Sequence, residues 1–227
     1  MDRFFDEELN KLRSDLTLMG RKSVELTRQS MRALIENQPD WIEDVIQKDE
    51  EIDELNKTID ADAIRFITLR SPVARDVRLI TVVMKCSREI ERVADEAVSI
   101  GKRSRQILEK GGFKDYYNLP KMTELCTLLL NDALDTFTEH DLEKARELPQ
   151  RDKEVDRLNK DNYNLLNECI INDRNASEPA VGMMFISKSL ERVGDHAANI
   201  AEEVVYLLEG EDIRHTEETK HSTDNES

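Results

Sequence analysis

The stretch DEEIDELNK, residues 49–57, returns as DKEVDRLNK at residues 152–160, with Asp49, Glu51, Asp53, Leu55, Asn56 and Lys57 all repeated. A second match follows each of these, MKCSREIERVADEA at 84–97 and MFISKSLERVGDHA at 184–197. Self-similarity at a fixed period means that one supersecondary unit is used more than once. The two offsets differ slightly, and the difference falls between the matches, near a turn. The chain therefore reads as two copies of one unit.

Apolar residues spaced alternately by three and four trace the helices of each copy. Leu9, Leu12, Leu16, Met19, Ser23, Leu26, Ser30 and Ala33 form a first seam. After ENQPD (36–40) a second runs through Ile42, Val45, Asp49, Ile52, Asn56, Ile59, Ala63 and Phe66. It ends at LRSP (69–72), where Pro72 closes one helix and opens the next, with Ser71 as the expected N-cap. A third seam, Ile80, Val83, Ser87, Ile90, Ala94, Ala97 and Gly101, reaches the break at EKGGF (109–113). Its small residues allow a neighbouring helix to come close. The pattern restarts with Leu119, Met122, Cys126, Leu129, Ala133 and Thr136. A fifth helix is expected from about Glu143 to Ile171, then the polar loop NDRNASEP (172–179), then a sixth helix to about Glu209. The fold class is all-α: two tandem three-helix repeats, residues 1–112 and 113–209, form a six-helix, two-lobed elongated bundle. Residues 210–227 are expected to be a disordered acidic tail.

Composition agrees with this reading. The 227 residues include only seven Gly and five Pro, and charged and hydrophobic types make up 36% and 38% of the chain. That is the palette of amphipathic helices. No stretch approaches the roughly 18 consecutive apolar residues of a membrane-spanning helix. The start, MDRFFDEELNKLR, lacks an apolar signal core, so a cytoplasmic location is expected. Cys86, Cys126 and Cys169 are odd in number and without CxxC spacing, which predicts buried thiols rather than disulfides or a thiolate metal site. A net charge of -16 argues against a nucleic-acid binder, whose footprint would be a basic face.

The repeated segments carry a feature that helices ordinarily avoid. Asp49 and Asp53, Glu91 and Asp95, Asp152 and Asp156, and Glu191 and Asp195 are like-charged pairs at i and i+4, which repel on a helix surface. Asp49 also occupies a seam position, where an ionised carboxylate is costly unless paired or bound to metal. In an antiparallel hairpin, residues equidistant from the turn lie at one height. Counted from Ser71, Asp53 and Glu91 differ by a height of roughly 3 Å at about 1.5 Å per residue. Asp156 and Glu191, counted from Asn175, also fall within one helical turn. Each half can thus bring two carboxylate pairs face to face, and the oxygen-only donor set favours a hard cation. The other reading makes the acids solvated helix faces, neutralised by Arg92, Arg192, Lys57 and Lys160. A ferritin-like di-iron oxidase would need Glu-x-x-His twice. Neither His140 nor His196 follows a Glu at that spacing, and His215 and His221 lie in the tail. His196 is expected to be exposed, and Trp41 and Met183–Met184 to pack a core. No GxSxG, phosphate-binding loop or Cys/His arrangement is present.

The tandem three-helix repeat, IERVADEA (90–97), LERVGDHAANIAE (190–202) and SPVARDVRLI (71–80) resemble the PhoU family of phosphate-transport regulatory proteins. The likeness covers about residues 5–209. It implies a cytoplasmic all-α protein, a homodimer, with multinuclear iron or zinc clusters, or other hard divalent ions, on its (E/D)xxxD motifs. Carried onto this chain, one metal site would draw on Asp49, Asp53, Glu91 and Asp95, and the other on Asp152, Asp156, Glu191 and Asp195. The resemblance further implies negative regulation of the phosphate regulon, as a non-enzymatic adaptor between the ATPase of the phosphate ABC transporter and a phosphate-sensing histidine kinase. Contact with membrane complexes would be peripheral. The second repeat has VGMMF where the first has RDVRL, so any role of Arg75, Asp76 and Arg78 belongs to one half. Two other readings stay open: a metal-dependent phosphohydrolase, and a purely structural bundle.

Overall fold

The computed structural model of the chain describes residues 2–210, with side chains from Phe5 onward. It contains α1 (Asp2–Ile35), α2 (Trp41–Arg70), α3 (Ala74–Glu109), α4 (Leu119–Glu139), α5 (Leu142–Asn172) and α6 (Ser177–Glu209), with a 3-10 turn at Arg174–Ala176. Among the described residues there is no strand. The expected tail lies outside the described residues, apart from Gly210.

Helix ends are set by residues that accept a left-handed backbone. Asn37 (φ 54) closes α1 in a Schellman arrangement, in which its own N–H donates to Leu34 O at 3.3 Å and Gln38 N–H to Ala33 O at 2.8 Å. Gly111 (φ 98) does the same for α3, with Gly112 N–H donating to Ile107 O at 3.0 Å. Two expected boundaries are corrected. Ser71 (φ 48) is the left-handed C-cap of α2 rather than the N-cap of α3, and Val73 fills the N-cap position without a side-chain hydrogen bond. The expected loop 172–179 is largely helical: Asp173 caps the 3-10 turn by accepting from Asn175 N–H, and α6 begins at Ser177, with Pro179 in its first turn.

The seams are buried as the spacing predicts, from Leu12, Leu16 and Met19 on α1 to Ile200 and Val204 on α6. α1, α3, α6 and α4 form a closed central ring, each packing on the next. α2 lies outside against α1 and α3, and α5 lies outside against α4 and α6. Small residues permit this: a Cβ on Gly101 would sit 3.4 Å from Ile42 Cγ2, and one on Gly20 only 2.4 Å from Leu134 Cδ2. Cys86 and Cys126 are fully buried, which pushes both thiols far above their usual range, whereas Cys169 is half-buried rather than buried as expected. Met183 is in the core, but Trp41 is only partly covered, with Arg32 5.3 Å from its ring centroid.

The α1–α4 crossing leaves no space beside Gly20. Gly20→Val should lower stability by about 1–3 kcal/mol through overpacking, read as the shift of the urea midpoint. An unchanged midpoint would show that the crossing is loose.

Candidate metal centre

The sites are built on the outer seams, where α2 runs antiparallel to α3 and α5 to α6. Asp49 and Asp53 extend from α2 toward Glu91 and Asp95 of α3. Asp49 is half-buried, and burial, with the charges of Asp53, Asp95 and Glu91, raises its pKa to about 6 despite nearby Lys102. Glu91 is also raised, first by burial and then by Asp95, although Arg92 offsets part of this. All four residues expected at the first site therefore share one electrostatic neighbourhood.

The second cluster is tighter, with one deeply buried member, Asp152, beside the exposed Asp156 and Asp195. Ligand oxygens of Asp152, Asp156 and Asp195 all lie within 4.8 Å of one another. Asp152 is 7% exposed, and its Oδ1 is buried without a hydrogen-bond partner. Burial and then the charges of Asp195, Asp156 and Glu191 raise its pKa to about 7. Asp195 is raised for the same first reason, with Glu191 and Asp156 adding repulsion. Glu191 stands in this field but forms an ion pair with Lys188.

Gly194 explains why Asp152 lies deeper than Asp49, and sequence reasoning gave it no role. A Cβ at this position would lie 2.2 Å from Asp152 Oδ1, so only glycine lets that carboxylate sink against α6. The first repeat has Ala94 in the corresponding place, and Asp49 stays half-buried. The available signal was a glycine in mid-helix, which costs about 1 kcal/mol relative to alanine and so needs a local reason.

The basic residues expected to neutralise the acids mostly look elsewhere. Arg192 pairs with Glu96 at 3.0 Å and Lys57 with Glu54 at 2.7 Å. Arg92 reaches Glu91 only at 3.8 Å and is mostly exposed. His196 is not exposed as expected. It is part-buried, with Nδ1 2.8 Å from Glu89 Oε2, an oxygen that also accepts from Asn199 Nδ2 at 3.0 Å. Burial opposes ionisation of Glu89, but these two bonds hold its pKa below the usual range. Thus a buried carboxylate oxygen without a donor, crowded by two further carboxylates, fits a cation: the donors are hard and anionic, and repulsion is what a positive charge would relieve.

The raised pKa has a consequence for stability. Between about pH 4, where unfolded Asp ionises, and about pH 7, the folded chain holds a proton that the unfolded chain has released. Stability of the metal-free chain therefore falls as pH rises through this window. Melting temperature should be higher at about pH 5.5 than at about pH 8, and Asp152→Asn should flatten the difference. Equal slopes in both proteins would refute the assignment.

The family profile described as PhoU domain matches residues 16–104 and 119–204, one match in each repeat. The phosphate-specific transport system accessory protein PhoU homolog of Pseudomonas putida is 34% identical over 212 residues, covering 93% of this chain and 83% of that protein. The protein of the same description from Clostridium acetobutylicum is 31% identical, covering 93% and 97%. Among solved structures, PhoU from Pseudomonas aeruginosa superposes with a TM-score of 0.88 at 32% identity, covering 91% of this chain and 100% of that one. The phosphate transport system regulatory protein PhoU from Streptococcus pneumoniae gives 0.83 at 28% identity, covering 92% and 99%.

Proposed function

The chain belongs to the PhoU family, and on that premise we propose that it is an accessory regulator of a phosphate-specific transport system. The observation that carries this reading is the match along both repeats to relatives of that description, over nearly the whole of this chain. In the finer form of the proposal, the protein is a cytoplasmic homodimer that restrains the phosphate regulon when phosphate is plentiful. It does so as an adaptor touching the transporter ATPase and the sensor histidine kinase, in peripheral contact with those membrane complexes. Two similar lobes support this, because they offer two similar docking faces. Among the described residues no helix is long and apolar enough to cross a membrane.

The metal part of the proposal assigns one cation site to each outer seam. Asp152, Asp156 and Asp195, with Glu191 beside them, would hold one ion or cluster, and Asp49, Asp53, Glu91 and Asp95 the other. An oxygen-only donor set favours iron or another hard ion over zinc, which prefers nitrogen and sulfur. The bound charge would fix α5 on α6 and α2 on α3, a structural and regulatory role rather than a catalytic one. Turnover of a phosphate ester by the metal-loaded protein would overturn the non-enzymatic reading.

Deletion of the gene should raise phosphate-regulon expression in phosphate-rich medium; unaltered expression would sink the regulatory proposal. Elemental analysis should find less metal in Asp152→Asn/Asp195→Asn than in the parent. Gly194→Ala, which keeps every donor but displaces Asp152, should weaken metal retention in the same direction. Parental metal content in both variants would dismiss the second site.

A further inference from the structure

One end of the central ring carries a second polar site that lies away from the acidic seams. The N-terminal turns of α1 and α3, the last turn of α6 and the residue after α4 enclose a cleft of about 830 Å³. Arg13, Arg75 and Arg78 line it, together with Asp76 and His140. The chain has 49 acidic residues against 33 basic ones, and its arginines generally find carboxylates: Arg21, Arg70, Arg146 and Arg157 are each ion-paired. Among the described residues no ion pair is formed by Arg13, Arg75 or Arg78, although Asp6 and Asp76 share the cleft. Three arginines without a counterion around one cleft is an unusual arrangement in so acidic a protein.

Arg13 and Arg78 are held by their surroundings, and Arg75 stands exposed at the rim. Arg13 is partly buried, and its Nε is shut off from solvent without a hydrogen-bond partner. Burial, and then the charge of Arg75, press its pKa downward, the mark of a cation near another cation. Arg78 lies over Tyr206, 5.8 Å from the ring centroid, and its guanidinium fits so tightly on Gly210 that a Cβ there would approach to 2.9 Å. Arg75 stands in the first turn of α3, whose N-cap residue, Val73, offers no side-chain acceptor to the free amides. A helix N-terminus adds partial positive charge there.

The site belongs to one repeat. The corresponding cleft at the other end of the ring, about 310 Å³, is lined by Glu178 where the first has Arg78, and Asn175 and Ala176 stand at the places of Arg75 and Asp76. Its own cations are engaged: Arg103 stacks on Phe185 and Lys110 pairs with Glu178.

We propose that the Arg13–Arg75–Arg78 cleft binds the phosphoryl group of a phosphorylated small molecule. Guanidinium forks match phosphate oxygens in a bidentate way that the single point charge of lysine does not. The volume lies within the range of about 300–1,000 Å³ that holds small organic ligands and far exceeds the space of one oxyanion. Leu9, Leu79, Leu207 and Leu208 supply an apolar wall for the organic body. The same chemistry would accept free inorganic phosphate, so the source is for experiment to distinguish.

The test is calorimetric titration of the full chain, stripped of metal by a chelator, with ATP, ADP and orthophosphate in separate arms. At least one should bind with Kd below about 1 mM. Preference for a nucleotide or for orthophosphate identifies the source, and either supports the site. Arg75→Gln and Arg78→Gln should each weaken binding about tenfold with unaltered melting temperature, and Asp76→Asn should strengthen it. Absence of binding in all three arms, or parental affinity in both arginine variants, overturns the proposal.

Discussion

A carboxylate at a helix–helix seam must find a proton or a cation, and the two outer seams of this bundle each bury one in part. Asp49 and Asp152 occupy places where the repeat spacing calls for an apolar side chain, and each faces the acid pair of a second helix. Elsewhere the molecule is organised in the ordinary way for an α-bundle, with apolar seams inward and ion pairs at the rims. At these two seams apolar packing works against charge, because closer approach concentrates negative charge. The outer helices α2 and α5 are therefore held by two opposing influences, apolar burial that draws them in and repulsion that grows as they come. A cation converts the second into attraction.

The two halves have resolved the same conflict to different depths. Ala94 keeps its Cβ, and Asp49 remains at the edge of the seam with Lys102 for partial relief. Gly194 gives up its Cβ, and Asp152 moves inside with no lysine or arginine among the charges that act on it. One methyl group separates a carboxylate at the edge of its seam from one buried inside it.

Much of this could be read from the residues. Helix number, seam composition and the duplication follow from periodicity, since an amphipathic stripe writes its burial directly into the sequence. Counting back to the hairpin turn put Asp156 and Glu191 within one helical turn of the same height, because an antiparallel pair converts sequence distance into height. Three things were not legible. Ser71 has the side chain of an N-cap but the backbone of a C-cap, and which role it takes depends on where Pro72 and Val73 carry the chain. His196 reads as exposed until Glu89 of α3, far away in sequence, is placed beside it. The arginine cleft draws on the ends of four helices, and no periodicity on a single helix reports that they converge.

The central ring has one more property. Its two contacts between repeats join corresponding helices, α1 with α4 and α3 with α6, as a twofold axis would arrange them. Along α3 and α6 the contacts run in opposite directions, Lys85 with Glu203 and Glu96 with Arg192. The counterpart of the Lys85–Glu203 ion pair, under the exchange of repeats, is Arg103 over the ring of Phe185. This is the geometry of an isologous dimer whose subunits have been joined into one chain. Fusion frees the two faces from having to match, so each cross-contact can mutate alone. An ion pair at one end and a cation–π stack at the other are what that freedom leaves behind.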